Sequence, residues 1–218
     1  MYKKICGGHG LSLFITFEGI DGCGKSTQMR FLSEYLDEKK IQYIVTREPG
    51  GCPIAEKIRE LLLDVENAEM SIYTELFLYS AARVQHVDEV ILPALRAGKV
   101  VLCDRYVDSN VAYQGYGRGI GSDKVLEANR YAMRKCPPDI TFLFDFGYED
   151  AQYRKRKRTE QDRLEQEDSA FFHRVYDGYM EQARRNSSRI RLIDVSGTKW
   201  ETRDKIRAIF DTIWEKQG

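Results

Sequence analysis

Several features that would assign a chain to a specialised class of protein are missing from these 218 residues. No apolar run approaches the ~18 residues that a membrane-spanning helix needs, so we do not expect a membrane protein. Residues 1–10 lack the continuous apolar segment of a secretory signal, and we interpret them as a flexible tail. No Pro-, Gly- or Ser-rich stretch divides the rest, and we expect residues 11–218 to form one domain.

The chain also lacks an excess of either charge and lacks paired cysteines. Its 34 Lys and Arg residues balance 34 Asp and Glu residues, so we expect neither nucleic acid nor a membrane surface as a partner. The five cysteines are odd in number and scattered, without the spacing of a zinc site or a disulfide framework. Reduced thiols in a cytoplasmic protein are the simplest interpretation.

Apolar segments typical of strands alternate with helical segments, which predicts an α/β protein with a parallel sheet. The predicted strands are Leu11–Glu18, Ile41–Arg47, Lys99–Asp104, Ile140–Phe146 and Ile190–Val195. Helices are expected to begin near Lys25, Pro53, Ser71, Ser122, Asp168 and Thr198. Five parallel strands between two layers of helices would bind ligands at the carboxyl ends of the strands.

A phosphate-binding motif follows the first predicted strand and opens the first helix. Its spacing, Gly-x-x-x-x-Gly-Lys-Ser, predicts a P-loop and therefore a three-layer P-loop NTPase fold. The glycines let backbone N–H groups face a phosphate, Lys25 would lie between the β- and γ-phosphates, and the Ser26 hydroxyl could reach Mg²⁺. The predicted ATP-binding residues are Gly19, Ile20, Asp21, Gly22, Cys23, Gly24, Lys25, Ser26 and Thr27. Cys23 is either a reactive thiolate beside the helix N-terminus or a small residue that fills a tight loop.

A P-loop alone occurs in GTPases, motor ATPases and small-molecule kinases, so other segments must decide between them. No Asn-Lys-x-Asp run typical of guanine specificity occurs. At the end of the third strand, Asp104 could join a Mg²⁺ shell opposite Ser26, and Arg105 could bind the phosphate of a second substrate. A plain salt-bridged pair is the alternative. Arg47 precedes a Glu-Pro-Gly-Gly turn, which either presents its guanidinium to that phosphate or is an ordinary turn.

Four segments together resemble the thymidylate kinase family across roughly residues 13–214. They are Phe17–Thr27, Thr46–Gly51, Ala81–His86 and Asp104–Gly115. The first is generic to P-loop proteins, whereas the second and fourth are specific to this family. The resemblance implies a cytosolic homodimer that uses ATP and Mg²⁺ to convert dTMP to dTDP.

The resemblance also implies how the base is held. Arg83 would hydrogen-bond the thymine edge, and Tyr79, one helical turn earlier, would stack on the base. The spacing supports this pairing independently, because residues four apart share a helix face. Phe77 and Leu78, which precede Tyr79, are expected in the core.

The remaining dTMP contacts are implied by the same resemblance. Asn110 would contact the base edge, and Tyr113 would crowd a ribose 2′-hydroxyl and so favour deoxyribose. Asp21 would approach the sugar 3′-hydroxyl or the acceptor phosphate, which Arg47 and Arg105 would clamp. The full predicted set is Asp21, Arg47, Pro49, Tyr79, Arg83, Arg105, Ser109, Asn110, Tyr113 and Gln114.

The densest run of positive charge, Arg154–Arg158, lies in a predicted short lid of about residues 148–166. By composition the run could be a solvated helix face, a nucleic-acid patch or a lid over phosphates. Phosphoryl transfer needs cations around its transition state, and Gly22 leaves the P-loop without an arginine, as in family members with lid arginines. The predicted catalytic residues are therefore Lys25, Asp21, Arg105, Arg154, Arg158 and Arg163.

Two other functions fit parts of the sequence. One is a kinase of another nucleotide or nucleoside, such as a deoxynucleoside kinase, whose acceptor has no phosphate and would leave Arg47 and Arg105 without a partner. The other is a non-catalytic P-loop switch or nucleic-acid module, against which the balanced net charge argues.

Overall fold

The computed structural model describes residues 12–147 and 162–216. Its central sheet has five parallel strands in the order β2-β3-β1-β4-β5. The strands are β1 Phe14–Glu18, β2 Tyr43–Arg47, β3 Val100–Asp104, β4 Ile140–Asp145 and β5 Ile190–Asp194. Each lies inside its predicted range, so the α/β class and the P-loop NTPase arrangement are confirmed.

Helices cover both faces of the sheet. They are α1 Lys25–Glu38, α2 Pro53–Leu63, α3 Ile72–His86, α4 Leu92–Arg96, α5 Val107–Asn110, α6 Ser122–Ala128, α7 Arg130–Lys135, α8 Ser169–Arg185 and α9 Lys199–Glu215. A π-helical segment, Val87–Ile91, joins α3 to α4, a second, Val111–Gly117, continues α5, and a 3-10 turn spans Val65–Asn67. All six predicted helix starts are confirmed to within one residue.

Side-chain caps explain why three of these helices begin where they do. Ser71, Asp168 and Thr198 each accept a hydrogen bond from the backbone N–H three residues later. Such a bond satisfies one of the N–H groups that have no partner within the helix. At α9, the Glu201 side chain also binds back to the Thr198 backbone, which completes a capping box.

Apolar residues on both faces of β1 explain why the sheet is buried from two sides. Leu13, Ile15 and Phe17 pack with α1, α8 and α9, whereas Phe14 faces the opposite layer and packs with Leu76 of α3. Strands buried on both faces are typical of parallel sheets.

In the sheet register, Asp104 of β3 lies between Phe17 of β1 and Arg47 of β2. The carboxyl ends of β1, β2 and β3 therefore meet at one place.

Two predictions about α3 and its neighbours need correction. Phe77, expected in the core, is 60% exposed, and Leu78 is only half-buried. The buried face of α3 runs through Glu75, Tyr79 and Arg83, and Phe77 lies on the other face. The helical stretch of α5 and its π-helical continuation was not predicted, because its buried polar residues hide the apolar periodicity.

Within the parts of the chain that the structure describes, every helix is too short or too polar to cross a bilayer.

Candidate active site

One cavity opens at the carboxyl ends of β1, β2 and β3. All ten residues predicted for dTMP binding line it, namely Asp21, Arg47, Pro49, Tyr79, Arg83, Arg105, Ser109, Asn110, Tyr113 and Gln114. The structure thus brings together residues that are up to 93 positions apart in the sequence, as between Asp21 and Gln114. Lining residues that the sequence did not indicate are Glu48, Arg59, Leu63, Tyr106, Asp162, Leu164, Glu165 and Phe172.

The P-loop connects β1 to α1 beside this cavity. Gly24 has a φ of 104°, in the left-handed region where glycine is favoured, and caps the N-terminus of α1. Lys25 is buried, and its Nζ donates to the carbonyl oxygens of Gly19 at 3.0 Å and Ile20 at 3.3 Å. Burial raises the pKa of the Cys23 thiol, which favours a packing role over a reactive thiolate.

Arg105 and the P-loop lysine contact the same carboxylate, that of Asp21. The φ of Arg105 is 68°, a strained value for a non-glycine residue and one that functional sites often hold. Nη2 of Arg105 donates to Asp21 Oδ1 at 2.8 Å, and Nζ of Lys25 is 3.6 Å from the same oxygen. Nη1 donates to the hydroxyls of Ser109 and Tyr179 at 3.0 and 3.1 Å. These contacts fix the guanidinium at the cavity wall.

The turn after β2 holds Arg47, which lines the same cavity. Its Nη1 donates to the Pro49 carbonyl at 3.1 Å and its Nη2 to Glu56 Oε2 at 3.1 Å, and the Glu48–Pro49 peptide is cis. Gly50 has a φ of 126°, which other residues rarely adopt, and a Cβ there would lie 2.4 Å from Glu56 Oε1 and 2.6 Å from Nη1 of Arg47. The Arg-Glu-Pro-Gly-Gly segment is therefore built around the arginine and is more than an ordinary turn.

Arg83 is held from several sides by buried polar groups. Nε donates to Glu48 Oε2 at 2.7 Å, and Nη1 donates to Asn110 Oδ1 at 2.9 Å and to Asn129 Oδ1 at 2.5 Å. Only 2% of Arg83 is exposed. Tyr79, one turn earlier on α3, is buried beside it and lines the same cavity. Both residues lie on the buried face of α3, but the ring next to the Arg83 guanidinium is that of Tyr106, whose centroid is 5.3 Å from Cζ.

Glu18, the last residue of β1, is a buried carboxylate that the sequence did not indicate as part of the site. It accepts hydrogen bonds from the Tyr106 backbone N–H at 2.7 Å and from the hydroxyls of Ser109 and Tyr179 at 2.5 and 3.2 Å. Burial, and secondly the nearby Asp108 carboxylate, raise the pKa of Glu18 to about 7. The only sequence sign of this group is a charged residue at the end of an apolar strand.

Ser26 and Asp104 line a second, more open pocket on the α1 side of the loop. Oδ1 of Asp104 is buried and has no hydrogen-bond partner among the residues that the structure describes, so it is free to coordinate. In the same part of the chain no group of three His, Cys, Asp or Glu residues could hold a metal by itself. A site with two oxygen ligands from the protein suits Mg²⁺, because this ion usually takes its remaining ligands from water and substrate phosphates.

Arg163 does not line the cavity, although it was predicted among the catalytic arginines. It is 6% exposed; its Nε donates to the Leu62 carbonyl at 2.9 Å, and its Nη2 lies 2.7 Å from Glu75 Oε2. The flanking Asp162 and Leu164 do line the cavity. This geometry gives Arg163 an anchoring position and does not support a catalytic contact. Arg154 and Arg158, the other lid candidates, lie outside the described residues, as does the tail of residues 1–10.

Comparisons with known proteins show which family this chain resembles over most of its length. The profile of the family described as thymidylate kinase matches residues 17–206. A thymidylate kinase of Syntrophotalea carbinolica is 45% identical over 86% of this chain and 90% of its own length. One of Symbiobacterium thermophilum is 43% identical over 93% of this chain and 94% of its own length. The crystal structure of thymidylate kinase from Ehrlichia chaffeensis, 33% identical, superposes with a TM-score of 0.75 and covers 92% of this chain and 99% of that chain.

The family profile covers residues 17–206, and these two relatives cover 86% and 93% of the chain. The chain belongs to the thymidylate kinase family.

Proposed function

We propose that this chain transfers the γ-phosphoryl group of ATP to dTMP and forms dTDP, a step in the supply of dTTP. The observation that carries the proposal is the pair of contacts at Asp21, whose Oδ1 lies 3.6 Å from the P-loop Lys25 and 2.8 Å from Arg105, which lines the cavity at the carboxyl ends of the strands. Lys25 and Arg105, two cations that can bind phosphate, therefore flank the same carboxylate oxygen. A transferase for two phosphorylated substrates needs that proximity.

Each substrate has its own cations in this scheme. Backbone N–H groups of the P-loop and Lys25 hold the phosphates of ATP, and Arg47 and Arg105 clamp the phosphate of dTMP. These groups align the acceptor oxygen with the γ-phosphorus and screen charge in the transition state, and no covalent enzyme intermediate is required. Arg154 and Arg158 belong to the proposal as the lid arginines that complete this shell.

The pyrimidine end of the cavity suits a thymine base. Tyr79 offers a ring to stack on, Arg83 offers guanidinium N–H groups, and Asn110 and Gln114 offer amides to the base edge. The buried Tyr113 ring lies against the Arg105 guanidinium, whose Cζ is 5.2 Å from the ring centroid. In the proposed complex this ring would crowd a ribose 2′-hydroxyl and so favour deoxyribose.

Mg²⁺ is proposed as the metal of the reaction, held by Ser26 and Asp104. When bound there, the ion would supply positive charge next to the phosphate oxygens of ATP. The protein side chains contribute the fixed oxygen ligands. The buried Asp104 Oδ1, which has no hydrogen-bond partner within the described chain, supports this assignment.

We further propose a homodimer in the cytoplasm. Large apolar side chains on neighbouring helices are exposed, and they include Ile54 (52%), Leu61 (53%), Phe77 (60%), Leu126 (44%) and Tyr131 (44%). A monomer has little reason to leave such a face in water. Phe77→Glu should convert the protein to monomers, as measured by light scattering after gel filtration. Val45→Glu, which changes an exposed apolar residue on β2, should leave the dimer intact.

The four described cysteines are buried thiols, in keeping with a reducing compartment.

A coupled ADP-release assay with ATP, Mg²⁺ and a panel of acceptors tests the proposed activity. dTMP should stimulate ADP release far more than UMP, CMP or AMP. Thymidine, which offers no phosphate to Arg47 and Arg105, should be inactive. Phosphorylation of thymidine would favour the deoxynucleoside kinase alternative, and steep salt-dependent DNA binding without ADP release would favour a nucleic-acid module.

A further inference from the structure

A row of buried hydrogen bonds starts at Arg83 on α3, passes through two amides of the cavity lining and returns to α3 at Glu75. Nη1 of Arg83 donates to Asn110 Oδ1 at 2.9 Å, Nδ2 of Asn110 donates to Gln114 Oε1 at 2.6 Å, and Nε2 of Gln114 donates to Glu75 Oε1 at 2.7 Å. All four side chains are at most 2% exposed. We name these four residues the amide relay.

The two ends of the amide relay determine the orientation of the amides between them. A guanidinium only donates hydrogen bonds, and an ionised carboxylate only accepts them. Gln114 must therefore turn its NH₂ towards Glu75 and its oxygen towards Asn110. Asn110 must in turn point its NH₂ at that oxygen and its own oxygen at Arg83. A reversed amide would set two donors or two acceptors against each other in a buried site.

Glu75 is well suited to anchor this row. Arg118 donates to both of its oxygens, at 3.2 and 3.1 Å, and Arg163 lies 2.7 Å from Oε2. Burial alone would raise the pKa of Glu75, but hydrogen bonds from Arg118 and Gln114 outweigh it and the pKa is lowered. The carboxylate is therefore ionised and remains an acceptor. It touches no cavity surface itself, since the cavity lining includes Gln114 and Asn110 but not Glu75.

The opposite end of the row is supported by a second side chain outside the cavity. Asn129 accepts from Arg83 Nη1 at 2.5 Å and donates from Nδ2 to Asn110 Oδ1 at 2.9 Å and to the Val125 carbonyl at 2.8 Å. It thus reinforces the same orientation of the Asn110 amide from the Arg83 side.

The orientation matters because pyrimidine bases differ in the order of donors and acceptors on their edges. Thymine offers an N–H beside a carbonyl oxygen, whereas cytosine offers an unprotonated nitrogen beside an amino group. An amide oxygen of fixed orientation and a guanidinium edge complement the first pattern and oppose the second.

We propose that Glu75 is a specificity-determining positioning residue, which fixes the amide relay so that the cavity selects thymine over cytosine. This inference rests on the proposed function, in which a pyrimidine deoxynucleoside monophosphate occupies the cavity. Glu75 acts through Gln114 and Asn110 and makes no contact with substrate.

The test is the ratio of kcat/KM for dTMP to that for dCMP. Glu75→Gln keeps the shape but offers an NH₂, which allows Gln114 to reverse, and the ratio should fall by about 10-fold or more. Glu75→Asp keeps an acceptor-only group and should retain the ratio within about threefold even if kcat/KM for dTMP falls. Glu167→Gln is the matched control, because Glu167 pairs with Arg118 in the same cluster and does not touch the relay; its ratio should stay within about twofold.

Asn129→Asp perturbs the relay from its other end and decides the matter if Glu75→Gln does not fold. The carboxylate introduced by this change only accepts hydrogen bonds, yet it faces Asn110 Oδ1, and it should lower the ratio in the same direction. Calorimetric binding of dTMP and dCMP provides the same ratio without turnover. A folded Glu75→Gln or Asn129→Asp variant with the native ratio overturns the inference alone, whereas wild-type protein that neither binds nor phosphorylates dTMP overturns the proposed function.

Discussion

Replacing Glu18 by Gln should change how the stability of the protein depends on pH. Glu18 is fully buried at the end of β1, where it accepts from Ser109, Tyr179 and the Tyr106 backbone. Charged groups near it are Arg105, whose guanidinium binds Ser109 and Tyr179, and Asp108. The Gln variant keeps the size of the side chain and removes its ionisation.

The magnitude follows from the pKa of Glu18, which burial and Asp108 raise from 4.5 to about 7. A carboxyl whose pKa is higher in the folded state favours folding in its protonated form. That stabilisation is complete below pH 4.5 and is lost as the pH rises through about 7. A pKa difference of this size corresponds to about 3 kcal/mol of unfolding free energy.

Urea unfolding at about pH 5 and about pH 8 measures the effect. The difference in unfolding free energy between wild type and Glu18→Gln should shift by up to about 3 kcal/mol in favour of the variant between the two pH values. Glu34→Gln, at a half-exposed carboxylate beside Arg30, is the control and should show no such shift. A difference that is flat with pH, or that moves in favour of the wild type, would refute the reasoning.

Three further changes test separate parts of the structure. Gly51→Ala places a Cβ 2.5 Å from His86 Nε2 at a φ of 87° and should cost more than about 1 kcal/mol, so an unchanged thermal midpoint would contradict the packing. Thr198→Ala removes the capping box and should cost about 1 kcal/mol in urea unfolding with kcat unchanged; altered kinetics would be unexpected. Arg105→Lys loses the forked contacts and should lower kcat/KM for dTMP about 10- to 100-fold while KM for ATP changes little; equal effects on both substrates would argue against an acceptor clamp.

Much of the fold could be predicted because its causes are local. Apolar runs of strand length fix the five strands, and short polar caps such as Ser71 and Thr198 fix the helix starts. The P-loop is local in the same sense, since its glycines, lysine and serine act within one turn. The ten residues predicted to bind dTMP were named by resemblance to a family, and the structure brings all ten to the lining of one cavity.

What could not be predicted depends on partners that are distant in the sequence. Glu75 meets Gln114 across 39 positions and Glu18 meets Ser109 across 91. A carboxylate that pairs with a residue so far away has the same local pattern as a solvated one. Phe77 was misplaced for the opposite reason, because an aromatic residue between core positions looks buried until the helix face is known.

Arg163 shows how such distant contacts change the interpretation of a charge run. In sequence it continues a basic segment and suggests a phosphate ligand, yet Leu62 and Glu75 hold its guanidinium away from the cavity. The neighbouring Asp162 and Leu164 line the cavity instead. Glu75 therefore contacts both Gln114 of the cavity lining and Arg163, which lies in the described end of the predicted lid.

Three of the arginines that line the cavity are paired with acids, and this pairing has a consequence for catalysis. Arg105 is bound to Asp21, Arg83 to Glu48 and Arg47 to Glu56. Each guanidinium is thereby fixed before a phosphate or base arrives, so less reorganisation remains for the bound state. Within the described residues, Asp21 contacts cations of both proposed substrate sites, because Lys25 and Arg105 share its Oδ1. The proposed sites for the donor and acceptor phosphates therefore share one P-loop carboxylate, which holds Lys25 and Arg105 next to each other.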